Sequence, residues 1–160
     1  MIKYIWINYL NIVRIENQLQ NLWVGNVEKS PKKEHWVPIK EDEEDSKPIY
    51  YKLGWLYNDK ERYDDAIKIL LKAIEYDSED SGYREELGFA YYQKEEYEFA
   101  LTQLNKAIAL DDASKLGYYY KGLCFVATNG KGEAMSMYYK LKEIDSDTAT
   151  ELMDKINKMK

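Results

Sequence analysis

The sequence predicts an all-α fold in which three helical hairpins follow one another and a further helix lies at each end. Three observations indicate this fold. The chain repeats itself with a period of 34 residues, its apolar residues recur every three to four positions, and its 160 residues include only 3 prolines and 8 glycines. A period of this length is typical of supersecondary units that stack into one continuous core.

Composition and charge exclude several classes of protein. The formal net charge is −6 and no dense basic stripe is present, which argues against nucleic acid as a partner. The single cysteine, Cys124, cannot form an internal disulfide. Together with the single histidine, His35, it cannot build a Cys/His zinc site. We therefore expect neither a metal nor another cofactor.

Residues 1–24 are predicted to form an amphipathic helix at the start of the chain. Trp6 and Tyr9 are among the residues of its broad apolar face. Asn8 and Arg14 interrupt the apolar run that a signal peptide requires, so the chain is predicted to stay in the cytoplasm. The helix has too few cations to be held on anionic lipid, which argues against a membrane partner. We expect it to pack on the array.

Residues 25–46 are predicted to be a linker. They include Pro31, Pro38 and an acidic run at positions 41–45. Such a run is typical of a solvated segment that repels itself, although recognition of a basic partner is an alternative. His35 lies in this linker, far in sequence from Cys124.

Residues 47–146 carry the repeat, as units 47–80, 81–114 and 115–146. Three columns recur at the period of 34, and they are Gly54, Gly88 and Gly122, then Tyr57, Tyr91 and Phe125, then Ala66, Ala100 and Ala134. This pattern resembles the tetratricopeptide repeat, a unit of two antiparallel helices. The small residues would let the two helices approach, and the aromatic residues would fill the space between them. Residues 147–160 are predicted to form a capping helix with Asp147 at its N-cap.

The resemblance also predicts a binding surface, because the first helices of such hairpins line the concave side of the array. The matching positions form a predicted groove that is aromatic with an acidic edge, namely Tyr51, Trp55, Glu85, Phe89, Tyr92, Tyr119 and Leu123. Some members of the family clamp a C-terminal carboxylate with Lys, Asn and Arg. The matching positions here are Tyr51, Trp55, Glu86, Leu116 and Tyr120, so that ligand is excluded.

Three functions remain open, and all are binding functions. The groove could accept a peptide or helix of another protein, as in a scaffold or adaptor. The chain could instead be a small secretion-type chaperone, or it could associate with itself when the helix of residues 1–24 fills the groove of the same or a second copy. Catalysis is not expected, because no base is placed beside Cys124 or a serine.

Overall fold

The computed structural model describes residues 47–159, and these contain seven α-helices and no strand. The predicted all-α fold is confirmed. The helix predicted for residues 1–24 and the linker of 25–46 lie outside the described residues. The helices are α1 (Lys47–Asp59), α2 (Tyr63–Tyr76), α3 (Ser81–Gln93), α4 (Tyr97–Leu110), α5 (Lys115–Ala127), α6 (Lys131–Ile144) and α7 (Ser146–Asn157).

The helices pair into three hairpins, α1 with α2, α3 with α4 and α5 with α6. Glycine makes the first two pairings close. A Cβ atom at Gly54 would collide with Leu70 of α2, and one at Gly88 would lie 2.6 Å from Cγ of Leu104 in α4. Each leucine is fully buried against its glycine, which is the packing of small beside large that the repeat pattern predicts.

The third glycine of this column has a different partner. A Cβ atom at Gly122 would lie 2.5 Å from Cδ2 of Leu152, which belongs to α7 rather than to the hairpin partner α6. Tyr138, the residue of α6 at the position equivalent to Leu70 and Leu104, is half-buried. The last helix therefore completes the packing of the third hairpin.

The alanine column and the aromatic column differ in burial. Ala66, Ala100 and Ala134 are all fully buried. Tyr57 is buried as well, whereas Tyr91 and Phe125 are half-buried. The ring of Tyr91 stacks on Phe99 of α4, with 5.4 Å between the ring centroids. The aromatic position is thus a wedge between the two helices in each hairpin, with a rim that reaches solvent.

The turns inside the hairpins share one backbone conformation. Glu61, Glu95 and Asn129 have φ values of 57°, 61° and 63°, in the left-handed region. In each turn the following residue donates its N–H to the carbonyl of the aromatic column, as Glu96 does to Tyr91 O at 2.9 Å. These positions also recur at a period of 34, a signal that the sequence analysis does not use because only Asn129 is a residue that favours this conformation.

A column of aspartates ends the second helix of each hairpin. The N–H groups of Asp77, Asp111 and Asp145 donate to the last carbonyls of α2, α4 and α6. Asp145 has a second role, because its Oδ1 accepts the N–H of Thr148 at 2.9 Å and caps α7. The predicted N-cap, Asp147, is therefore wrong by two residues, and a single residue joins α6 to α7.

Neighbouring hairpins pack into one core. Helix α3 contacts α2 and α5, and α7 contacts both α5 and α6. Ala149, Leu152 and Ile156 of α7 are buried together with Leu141 of α6, as a capping helix requires. None of the helices between Lys47 and Asn157 is long and apolar enough to cross a membrane.

Candidate functional site

Helices α1, α3 and α5, the first helices of the three hairpins, lie side by side and carry all seven predicted groove residues. Tyr51 of α1 packs against Tyr83 of α3, with 5.9 Å between the ring centroids. Phe89 of α3 packs against Tyr120 of α5 at 4.9 Å. We call the face formed by the predicted groove residues together with Glu86 and Tyr120 the inner surface.

The predicted groove residues differ in exposure. Trp55 is 52% exposed and is the most accessible aromatic side chain among them. Leu123 is only 8% exposed and packs in the core beside Leu141 and Leu152 of α6 and α7. The remaining members are half-buried, and they are Tyr51, Glu85, Phe89, Tyr92 and Tyr119. Six of the seven side chains therefore keep surface that a ligand can contact.

Tyr120 is the centre of the aromatic part of the inner surface. Its ring lies 4.9 Å from that of Phe89, 6.4 Å from that of Tyr92 and 5.5 Å from that of Tyr119. Burial, together with the negative charge of Glu86, raises the pKa of the Tyr120 hydroxyl to about 12. Tyr120 is thus a neutral phenol that joins the rings of α3 and α5.

Glu86 is a buried carboxylate on α3 that faces α1. Its Oε2 accepts a hydrogen bond from Nδ2 of Asn58 at 2.8 Å, and the same nitrogen lies 3.0 Å from the backbone oxygen of Glu86. Burial raises the pKa of Glu86, and the Asn58 bond offsets this rise only in part. Within the described part of the chain, Oδ1 of Asn58 has no hydrogen-bond partner although the residue is only 4% exposed.

Glu85 is held differently from its neighbour. Its Oε1 accepts a short hydrogen bond from the hydroxyl of Ser114, the N-cap of α5. Ser114 Oγ in turn accepts the N–H of Gly117 at 2.9 Å, so the carboxylate ties α3 to the start of α5. Burial raises the pKa of Glu85, while the Ser114 bond acts in the opposite direction.

The two glutamates give this region a negative charge. Burial, followed by the charges of Glu86 and Glu85, raises the pKa of Tyr51 on α1. The nearest basic residue in the sequence, Arg84, donates instead to the backbone oxygen of Ser78 at 3.1 Å and to Gln103. The two carboxylates therefore act on rings from both neighbouring helices.

The chemistry of the described residues is that of a binding surface. They contain no group of three or more His, Cys, Asp or Glu side chains that could hold a metal ion. Burial raises the pKa of Cys124 to about 12, so its thiol is protonated at neutral pH and is a poor nucleophile. His35 lies outside the described residues.

Sequence reasoning missed the importance of Glu86, Tyr120 and Asn58. It considers Glu86 and Tyr120 only to exclude a carboxylate clamp. Their spacing is 34 residues, which places them at equivalent positions of α3 and α5. This equivalence could have grouped them with the predicted groove, but only the structure shows the hydrogen bond that links Glu86 to Asn58.

Solved structures with the same fold define the class of the protein. The first such domain of human RPAP3 is 23% identical, covers 71% of this chain and 91% of its own, and gives a TM-score of 0.67. The TPR2B domain of yeast Sti1, in complex with pHsp70, is 18% identical over 72% and 98%, with a TM-score of 0.68. The secretion chaperone SycD of Yersinia enterocolitica, in complex with a peptide of the translocator YopD, is 17% identical over 73% and 94%, also at 0.68.

These matches show an α-solenoid built from tetratricopeptide repeats. In sequence, residues 48–80 match the profile of the tetratricopeptide repeat. The chain is thus a tetratricopeptide-repeat protein, and the predicted resemblance is confirmed. Among curated proteins no sequence matches.

Proposed function

We propose that the inner surface binds a peptide or helix of another protein and that the chain is a non-catalytic scaffold or adaptor of the cytoplasm. The observation that carries this proposal is the row of half-buried aromatic side chains on three adjacent helices, with Trp55 more than half exposed beside it. Aromatic residues contribute large contact areas at little cost in rotamer entropy, and they are frequent at the centres of protein interfaces.

The comparisons support a peptide as the ligand. The Sti1 and SycD structures are both complexes, with pHsp70 and with a YopD peptide. The ligand of this chain should differ from a C-terminal carboxylate, because two clamp positions are Glu86 and Tyr120 rather than amide or basic residues. An apolar or weakly basic segment suits a surface of aromatic rings and glutamates.

The test is selection of peptides by the full chain from a displayed library of random dodecamers, followed by affinity measurements on the selected peptides. The groove variant combines Tyr51→Ala, Phe89→Ala and Tyr119→Ala. A matched control removes three exposed side chains from the second helices of the hairpins, with Leu71→Ala, Phe99→Ala and Tyr139→Ala. We expect the groove variant to lose several kcal/mol of binding free energy and the control to lose less than about 1 kcal/mol.

A second variant guards against loss of the fold, because Phe89 and Tyr51 also pack against neighbouring rings. Trp55→Ala removes a mostly exposed side chain and should keep the helical circular dichroism while it weakens binding by about 1–2 kcal/mol. If peptides are selected and all three proteins bind them equally, the ligand lies elsewhere. If no peptide is selected, the proposal is wrong.

A secretion-type chaperone is a second candidate, and the match to SycD favours it. It would use the same inner surface and would keep an aggregation-prone client in solution. Light scattering of such a client, with and without the chain, separates this role from that of an adaptor. Self-association through residues 1–24 is the third candidate, and sedimentation at several concentrations tests it.

A further inference from the structure

Glu86 is an expensive residue for the fold to keep. Its side chain is buried, and burial makes its charged form unfavourable. The single side-chain hydrogen bond that it accepts, from Asn58, is one that a glutamine oxygen could accept equally well. The negative charge therefore adds nothing to the contacts that hold α1 against α3.

The surroundings of Glu86 lack a cation. In the described part of the chain no ion pair joins Glu85 or Glu86 to a lysine or arginine. Arg84, two positions before Glu86, donates to Ser78 and Gln103 instead. Buried carboxylates are ordinarily paired, so this charge is without the partner that its burial would require.

A second observation is independent of the carboxylates. Asn58 is nearly fully buried, and its Oδ1 accepts no hydrogen bond in the part of the chain described. Since Nδ2 of the same amide lies 2.8 Å from Oε2 of Glu86, the unused acceptor is beside the carboxylate. Two kinds of acceptor with spare capacity thus occur together, and a group with several N–H donors would satisfy both.

Aromatic rings flank these acceptors on both sides. The charge of Glu86 acts on Tyr51 of α1 and on Tyr120 of α5, and Tyr120 packs on Phe89 at 4.9 Å. Aromatic faces attract ammonium and guanidinium groups, and they also pack against the methylene stems of these side chains. The combination of a partly desolvated carboxylate and aromatic rings is suited to a basic side chain.

We infer that Glu86 binds a lysine or arginine side chain of the partner segment, with Asn58 as a second acceptor and with Tyr51, Phe89 and Tyr120 around its stem. This inference rests on the proposed function and specifies the chemistry of its ligand. Glu85 contributes charge but a smaller share of contacts, because its Oε1 is already used by Ser114.

The test uses dodecamer pools with one fixed central residue, either lysine, arginine or norleucine, and with alanine, leucine, serine and tyrosine elsewhere. Norleucine keeps the stem of lysine and lacks the ammonium. The proteins are the full chain, Glu86→Gln, and Glu75→Gln as a control that removes an exposed glutamate of α2 and changes the net charge equally. Fluorescence polarisation gives the affinity of each pool.

We expect the full chain to bind the lysine or arginine pool at least tenfold more tightly than the norleucine pool. Glu86→Gln should remove most of this preference and leave the norleucine pool within about twofold, whereas Glu75→Gln should keep the preference. An unchanged preference in Glu86→Gln, or none in the full chain, overturns the inference.

The outcomes also separate this inference from the proposed function. If the full chain binds all pools equally and the groove variant loses them, the inner surface binds peptides but has no site for a cation. If no pool binds the full chain, both proposals are wrong. Circular dichroism of Glu86→Gln checks that its helices are intact, and the retained hydrogen bond to Asn58 predicts that they are.

Discussion

The contacts between the helices of each hairpin and the inner surface follow the same period of 34 residues, but they differ in chemistry. At the glycine column the residue type is constant, because each position must admit a leucine from another helix. At the equivalent inner positions the residue type varies, as in Tyr51, Glu85 and Tyr119. A periodic position with a constant residue therefore reports what the fold requires, and one with a variable residue is free to serve binding.

The physical reason is the difference in packing constraint. A methylene group added where two helices touch must displace backbone or a buried side chain. A half-exposed side chain has solvent on one side, so that its exchange alters the free energy of unfolding little. Substitutions in the two regions should accordingly have opposite effects on stability and binding.

The largest expected effect comes from Gly88→Leu in the middle hairpin. A Cβ atom there lies 2.6 Å from Cγ of the fully buried Leu104, so the larger side chain must force α3 and α4 apart. We expect the free energy of unfolding to fall by about 3 kcal/mol, measured by urea denaturation followed by circular dichroism. Gly132→Leu is the matched control, because a Cβ atom at Gly132 meets nothing within 4 Å. A similar loss in both variants would contradict the comparison.

An intermediate effect, of the opposite sign, is expected for Glu86→Gln. The pKa of Glu86 is raised in the folded state above its ordinary value of 4.5, so the folded protein binds more protons than the unfolded chain as pH rises above that value. The stability from this group is fully present below 4.5 and is lost as pH rises through the folded pKa. At about pH 7 the variant should be more stable than the parent by on the order of 1 kcal/mol, and near pH 4 the two should converge.

The control for this pH dependence is again Glu75→Gln, whose unfolding curve should follow that of the parent at every pH. Glu85 titrates in the same range but is present in all the proteins, so the difference between curves reports Glu86. Asn58, Glu85, Tyr51 and Tyr120 are the groups that act on it. A parent more stable than Glu86→Gln at neutral pH would mean that the charge supports the fold.

The smallest expected effect concerns a turn that belongs to neither region. Glu95 has a φ of 61°, a conformation that glycine adopts without strain, and its side chain is exposed. Glu95→Gly should raise the free energy of unfolding by about 0.5–1 kcal/mol, because relief of strain exceeds the added entropy of the unfolded chain. Glu95→Ala keeps the Cβ atom and should give no such gain in thermal denaturation.

Much of the fold could be predicted because its signals are local or periodic. Gly54, Gly88 and the alanine column identify the hairpins without any knowledge of their contacts. The partner of Gly122 could not be predicted in this way, since Leu152 lies outside the repeated segment. The end of the array breaks the period, and with it the alignment that pairs glycine with leucine.

The candidate site could be predicted only in outline. Tyr51, Phe89 and Tyr119 follow from their positions on the first helices. The burial of Leu123 and the pairing of Asn58 with Glu86 depend on how α7 and α1 pack, which residue spacing does not report. A carboxylate in a sequence is more often solvated than buried, so Glu86 stands out only once its surroundings are known.

The contact between Gly122 and Leu152 has a consequence for the order in which the molecule is made. In the first two hairpins the leucine follows its glycine by 16 residues, whereas in the third it follows by 30. During translation the first two hairpins can close as soon as their own helices have emerged from the ribosome. The third must wait for the C-terminal helix, so a nascent chain that stops at Ile144 still exposes an open seam for a chaperone or protease to recognise.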